Sequence, residues 1–173
     1  MQVALGLLLL RLTFGLIFFA HGAQKLFGIF GGHGLQGTTK MVEMLGLRPA
    51  KWWAIAAAVG ETLGGVLMAL GLLTPLAALL IAATMLVAML RVHAPKGFWN
   101  SQGGYEYNLV LFVLAIAFAL IGAGTYSLDA LIGFGPLAPA WFLVGLLLLV
   151  ILGLVVWLPT VDRVRKSWHV FQS

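Results

Sequence analysis

The sequence predicts an all-α integral membrane protein: an antiparallel bundle of about five transmembrane helices with little outside the bilayer. Three observations carry this expectation. Of 173 residues, 62% are hydrophobic and only 9% charged, too few charges to cover a water-soluble domain of this length. The mean hydropathy is correspondingly high, +1.07. The apolar residues gather into five runs, each close to the ~20 residues a helix needs to cross a bilayer. The Lys and Arg residues between those runs fall on one side, as loop charges that orient a membrane protein do.

The windows are about 3–22, 52–72, 75–91, 105–122 and 138–158, and together they are expected to form one membrane domain, 1–173. None shows the ~10-residue alternation of a barrel strand. In the first, MQVALGLLLLRLTFG, no basic residue precedes the apolar run and Arg11 interrupts it, so a retained span is expected rather than a cleaved signal. This helix has a polar inner end reaching toward Phe30. Segment 31–51 is Gly-rich and then reads TTKMVEMLGL; Thr38 or Thr39 is expected to cap a short interfacial helix ending at Gly46. Leu73, Thr74 and Pro75 are all that join the second and third windows, which forces an antiparallel hairpin. Segments 92–104 and 123–137 read as turn-rich loops.

With five spans, Lys25, Lys40, Arg48, Lys51, Arg91, Lys96, Arg163, Arg165 and Lys166 lie on or at the edge of one side, and the other side carries Asp129. The positive-inside rule then places the N-terminus outside and the C-terminus in the cytoplasm. Trp52, Trp53, Trp99, Tyr105, Tyr107 and Trp157 lie near span ends on the basic side, as an aromatic belt does. The net charge of +5 is spread in ones and twos between apolar runs, so no nucleic-acid partner is expected. The absence of cysteine excludes disulfides, thiol catalysis and cysteine-ligated iron–sulfur clusters.

Ionisable groups at membrane depth cost several kcal/mol unless paired or wet, so they are the candidate functional residues. The deep layer is Arg11 and Glu61. Counted from the outer helix ends they lie roughly 12 and 16 Å deep at 1.5 Å per residue, and an ion pair between them is expected. Such a pair either fixes helix register or handles protons or substrate, and the residues leave both readings open. The second layer, near the basic side, is His21, Lys25, His93 and Glu106, with Asn108 just inside. Gathered by the bundle, these would form a polar pocket below an apolar funnel. That suits a lipophilic molecule with a polar head, such as a quinone. Snorkelling and helix capping are the plain alternative. Gly15 and Gly22 share the stripe of Arg11 and Lys25 and would admit a neighbouring helix or a ligand. Ala57, Gly65 and Ala69 flank Glu61, with Gly60 and Gly64 beside them, and favour close helix contact.

His21, His33, His93 and Glu106 lack metal-ligand spacing, so no metal is assigned. Asp129 is expected to cap a turn on the outer side, and His169 to be solvated. No phosphate-cradling or nucleophile motif occurs, and no catalytic residue is assigned.

RLTFGLIFFAHGAQKLFG (11–28), GETLGGVLMALGLLTPLAA (60–78), VHAPKGFW (92–99), GGYEYNL (103–109) and GAGTYSLDAL (122–131) stand in the order of one known pattern. Over about residues 5–131 the chain resembles the DoxX family of bacterial membrane proteins. The resemblance implies a four-helix bundle in the bacterial cytoplasmic (inner) membrane and a link to membrane redox complexes. The family takes its name from a subunit associated with thiosulfate:quinone oxidoreductase. Its polar positions map onto Arg11, His21, Lys25, Glu61, His93, Glu106 and Asp129. The run 138–158 and the basic tail lie beyond the pattern and read as an added fifth helix.

The function expected is therefore a redox-linked membrane subunit that binds a quinone or similar lipophilic carrier. A soluble or membrane redox partner would serve it, because the chain without cysteine must borrow its redox centre. The alternatives are a non-catalytic anchor or scaffold for a partner protein, and a small-molecule transporter. Homo-oligomerisation is left open by the small-residue stripes.

Overall fold

The computed structural model describes residues 1–135 and 139–170, without the side chains of 139–140 and 158–170. The expectations placed on Arg163, Arg165, Lys166 and His169 therefore lie outside the described residues, as does the start of window 138–158. The described elements are helical throughout, as expected: α1 (Gln2–Phe27), α2 (Gly34–Met44), α3 (Ala50–Leu70), α4 (Thr74–Ala88), α5 (Glu106–Ile121), α6 (Leu128–Leu131) and α7 (Pro139–Val170).

Three helical stretches are long and apolar enough to cross a membrane: Gln2–Phe27, Ala50–Leu70 and Thr74–Lys96. The last is α4 continued through a π-helical turn (Met89–His93) and a 3-10 turn (Ala94–Lys96). The apolar helices Glu106–Ile121 and Trp141–Trp157 are shorter.

The 26 residues of α1 extend about 39 Å at 1.5 Å per residue, longer than the window 3–22. Gly28 stops it in the left-handed conformation (φ 74°), its N–H returning to Gln24 O. Helix α2 begins at Gly34, five or six residues earlier than a Thr38 or Thr39 cap would place it, so neither threonine caps it. Their hydroxyls instead donate back one turn, to Gly34 O (2.9 Å) and Leu35 O (2.8 Å). Its end falls where predicted, at the left-handed Gly46. The α3–α4 connection is the tight hairpin that Leu73–Thr74–Pro75 demanded. It turns through Gly71 (φ 61°) and the non-glycine Leu73 (φ 47°).

Glycine sets how α1 meets α3. A Cβ on Gly22 would stand 2.3 Å from Thr62 N, one on Gly15 2.4 Å from Ala69 N, and one on Gly65 2.3 Å from Phe19 N. The two backbones thus touch directly, the close approach that small residues permit between membrane helices. A second small face of α3, Gly60 and Gly64, receives Thr84 and Ile81 of α4. Phe14, Phe18, Met68, Ile81, Ala115 and Phe118 fill the core where α1, α3, α4 and α5 converge. Leu149 and Val156 of α7 are also buried, and Gly145 and Gly153 meet α4 and its continuation.

Large apolar side chains cover the outside, including Leu9, Leu16, Val59, Leu63, Val113, Leu147 and Ile151. Such a surface is stable against lipid and would aggregate in water. Overpacking the glycine seam has a direct consequence. Gly65→Leu should lower stability by about 3 kcal/mol or prevent folding, because its side chain meets backbone that cannot move aside. A thermal-unfolding midpoint in detergent measures this, and an unchanged midpoint would refute the seam.

Candidate functional site

The seam fixes the stagger of α1 on α3. Gly22 sits on Thr62, Phe19 on Gly65 and Gly15 on Ala69, so steps forward along α1 match steps backward along α3. Carried toward the basic side, this register brings Lys25 against Glu61, whose Oε2 accepts a hydrogen bond from Lys25 Nζ. Carried the other way, it brings Arg11 to the end of α3. There the guanidinium donates to Ala69 O and Tyr126 O.

The expected Arg11–Glu61 pair is therefore not formed. The depth estimate set the outer ends of the two helices level, whereas the glycine contacts let α1 run on past the α3–α4 turn. Each residue of the deep layer has found another partner, and they mark opposite ends of the bundle.

At the end away from the basic side, Arg11 (4% exposed) lies in the field of Asp129 (5% exposed). Asp129 Oδ1 accepts from Leu73 N (2.6 Å), and Oδ2 from Thr74 N (2.9 Å) and the Thr74 hydroxyl (2.6 Å). Asp129 caps, as expected, but it caps the first turn of α4 from 55 residues away. The N–H groups there have no helical partner of their own. Ser127 is the residue that caps the local helix α6, accepting from Ala130 N (3.1 Å).

At the basic end, the Lys25–Glu61 pair forms one edge of a chamber of about 270 Å³. Trp53, Ala57 and Gly60 of α3 line it, with Ala83, Thr84 and Val87 of α4, Met41 and Val42 of α2, and Leu152 of α7. The Glu61 side chain is 4% exposed and that of Lys25 27%, so the carboxylate is buried while the amine reaches toward the surface. Thr38 joins α2 to the end of α1 through Lys25 O (3.3 Å).

Arg91, counted as a loop charge, is buried in the π-helical turn. It donates to Leu45 O at the end of α2 and to Val156 O of α7 (3.2 Å). Three walls of the chamber thus share one guanidinium, whose charge suits the carbonyl end of α2. Its signal in the sequence was an apolar run reaching Arg91 with no glycine or proline between Leu76 and Leu90.

The remaining candidates do not join this chamber. His93 Nδ1–H donates to Gly103 O (2.7 Å), and Glu106 Oε2 accepts from Asn100 N (3.0 Å). Both side chains shape the loop between α4 and α5. Asn108 is buried and donates to Met85 Sδ (3.6 Å) across the α4–α5 contact. His21 is exposed on α1, and His33 is exposed just before α2. Among the described residues, no three His, Asp or Glu side chains gather as metal ligands would.

The sequence model of the DoxX family matches residues 6–94, which hold most of α1, all of α2 to α4, the Lys25–Glu61 pair and Arg91. The chain belongs to the DoxX family. A curated relative, "Putative oxidoreductase CatD" of Bacillus subtilis (strain 168), is 34% identical over 125 residues, covering 72% of this chain and 85% of its own length. No solved structure matches. In this DoxX chain the matched segment contains both members of the buried ion pair and most of the chamber wall. Leu152 on α7 is contributed from beyond it.

Proposed function

We propose that this DoxX-family chain is a membrane subunit of a redox system, holding a quinone or similar lipophilic carrier in the chamber with its head group against Lys25 and Glu61. The observation that carries this is a buried ion pair on the wall of an otherwise apolar cavity. Its volume of about 270 Å³ is just below the ~300–1,000 Å³ of small-molecule sites, and a few placed polar groups in an apolar lining are what such sites share. Lys25 supplies N–H donors to a head-group oxygen, and the alkyl tail lies along Leu80, Val87 and Leu152. The relative's name, an oxidoreductase, supports a redox setting. A chain without cysteine takes its electrons from a partner protein.

In this reading α1, α3, α4 and α5 form the four-helix family bundle, and α7 is a fifth span in the same membrane domain. The basic side faces the cytoplasm of a bacterium, and the N-terminus faces out.

The test is a titration of the protein in lipid nanodiscs with a decyl-substituted benzoquinone, read by tryptophan fluorescence, since Trp53 lines the chamber. Saturable quenching is expected, weakened about tenfold or more in Ala57→Phe, whose ring fills the chamber. Quenching that is unsaturable, or unchanged in Ala57→Phe, would contradict the proposal.

A further inference from the structure

We infer that the chamber prefers a lipophilic ligand whose head group carries a hydroxyl, a quinol or an alkylphenol, over one that offers only carbonyl oxygens. This rests on reading the chamber as a carrier site.

The reason lies in the second oxygen of Glu61. Oε2 accepts a hydrogen bond from Lys25 Nζ, while Oε1 accepts from no group among the described residues. Oε1 is also not sealed off. Among the described residues, the buried side-chain nitrogen or oxygen that lacks a partner is Arg11 Nε, at the other end of the bundle. Glu61 Oε1 thus remains reachable on a residue that lines the chamber.

Among the described residues, the two hydroxyls on the chamber lining are already engaged with backbone carbonyls. Thr38 donates to Gly34 O and Lys25 O, and Thr84 donates to Ile81 O (2.9 Å). The indole of Trp53 is about 12 Å up the same helix, at 1.5 Å per residue. A carboxylate oxygen only accepts, so the missing donor must come from whatever occupies the chamber.

An O–H group on the ligand completes the site, donating to Oε1 while its own oxygen accepts from Lys25. A hydrogen bond to an ionised acceptor is among the stronger ones. A carbonyl in the same place brings a second acceptor against Oε1 and engages Lys25 alone. Sites built around a ligand hydroxyl reject analogues that lack it more strongly than apolar sites reject a change of size.

The experiment compares three ligands of one shape on the full chain in nanodiscs: a decyl hydroquinone kept reduced under anaerobic conditions, its benzoquinone, and its dimethyl ether. The hydroquinone should bind about tenfold or more tightly than either of the others, the discrimination of one charge-assisted hydrogen bond. In Glu61→Gln, checked for monodisperse elution, that preference should shrink to about twofold, because the amide is uncharged and brings its own donor. Should this variant not fold, the hydroquinone-to-ether ratio in the wild-type protein decides alone. Equal binding of all three ligands, or a preference that survives Glu61→Gln, overturns the inference and leaves the carrier site standing. Failure of all three to bind overturns the carrier site and this inference together.

Discussion

Replacing Asp129 by alanine is expected to destabilise the protein by about 3–5 kcal/mol, the loss typical of breaking a buried charged network from one side. Four groups lose their partner at once. Leu73 N, Thr74 N and the Thr74 hydroxyl are left without an acceptor, and Arg11 without its counter-charge. Thr74 is wholly buried, so no solvent replaces the carboxylate, and each stranded donor costs about 1–3 kcal/mol before relaxation. Asp129→Asn retains one acceptor oxygen and should fall between the two. Unfolding in detergent, followed by far-ultraviolet circular dichroism, measures both. A change below about 1 kcal/mol in Asp129→Ala would mean that the α3–α4 turn holds its shape without this cap.

The second large effect is at the other end of the bundle. Lys25→Met strands the Glu61 carboxylate in an apolar wall, and a loss of about 3–5 kcal/mol is again expected. The double variant Lys25→Met/Glu61→Met should recover most of it, because apolar residues of similar volume often replace a buried ion pair without net cost. Ligand binding should not recover, since the groups that hold the head are gone. That divergence separates a pair kept for chemistry from one kept only to join α1 to α3. If the double variant regained both stability and full ligand affinity, the pair would be purely structural. Thermal midpoints and the quinone titration, run on the same preparations, supply the two numbers.

Much of this arrangement was legible before any coordinates. Hydropathy located the three helices long and apolar enough to cross a membrane, Leu73–Thr74–Pro75 forced the hairpin, and the cost of intramembrane charge isolated Arg11, Glu61 and Lys25 as residues needing partners. What composition and spacing do not contain is the axial offset of two helices. Arg11 and Glu61 come level only if the helix ends do. The offset is set by Gly15, Gly22 and Gly65, whose stripe was visible but whose mutual register is a property of the packed pair.

The same limit applies to His93 and Glu106. Their types and places suited a pocket, yet each bonds a backbone group of the loop between them, a local competition that spacing cannot rank. Arg91 was hidden for the converse reason. Next to a loop it reads as a snorkelling charge, and only the approach of α2 and α7 gives it buried carbonyls to bond.

The most direct measurement is photolabelling in nanodiscs with a lipophilic quinone that carries an azide on its ring, followed by peptide mapping. With the head group against Lys25 and Glu61, the label should fall within residues 53–61 and 80–92 and be displaced by excess unlabelled quinone. Label confined to the 94–106 loop, or spread over the lipid-facing helices and indifferent to competition, would contradict it.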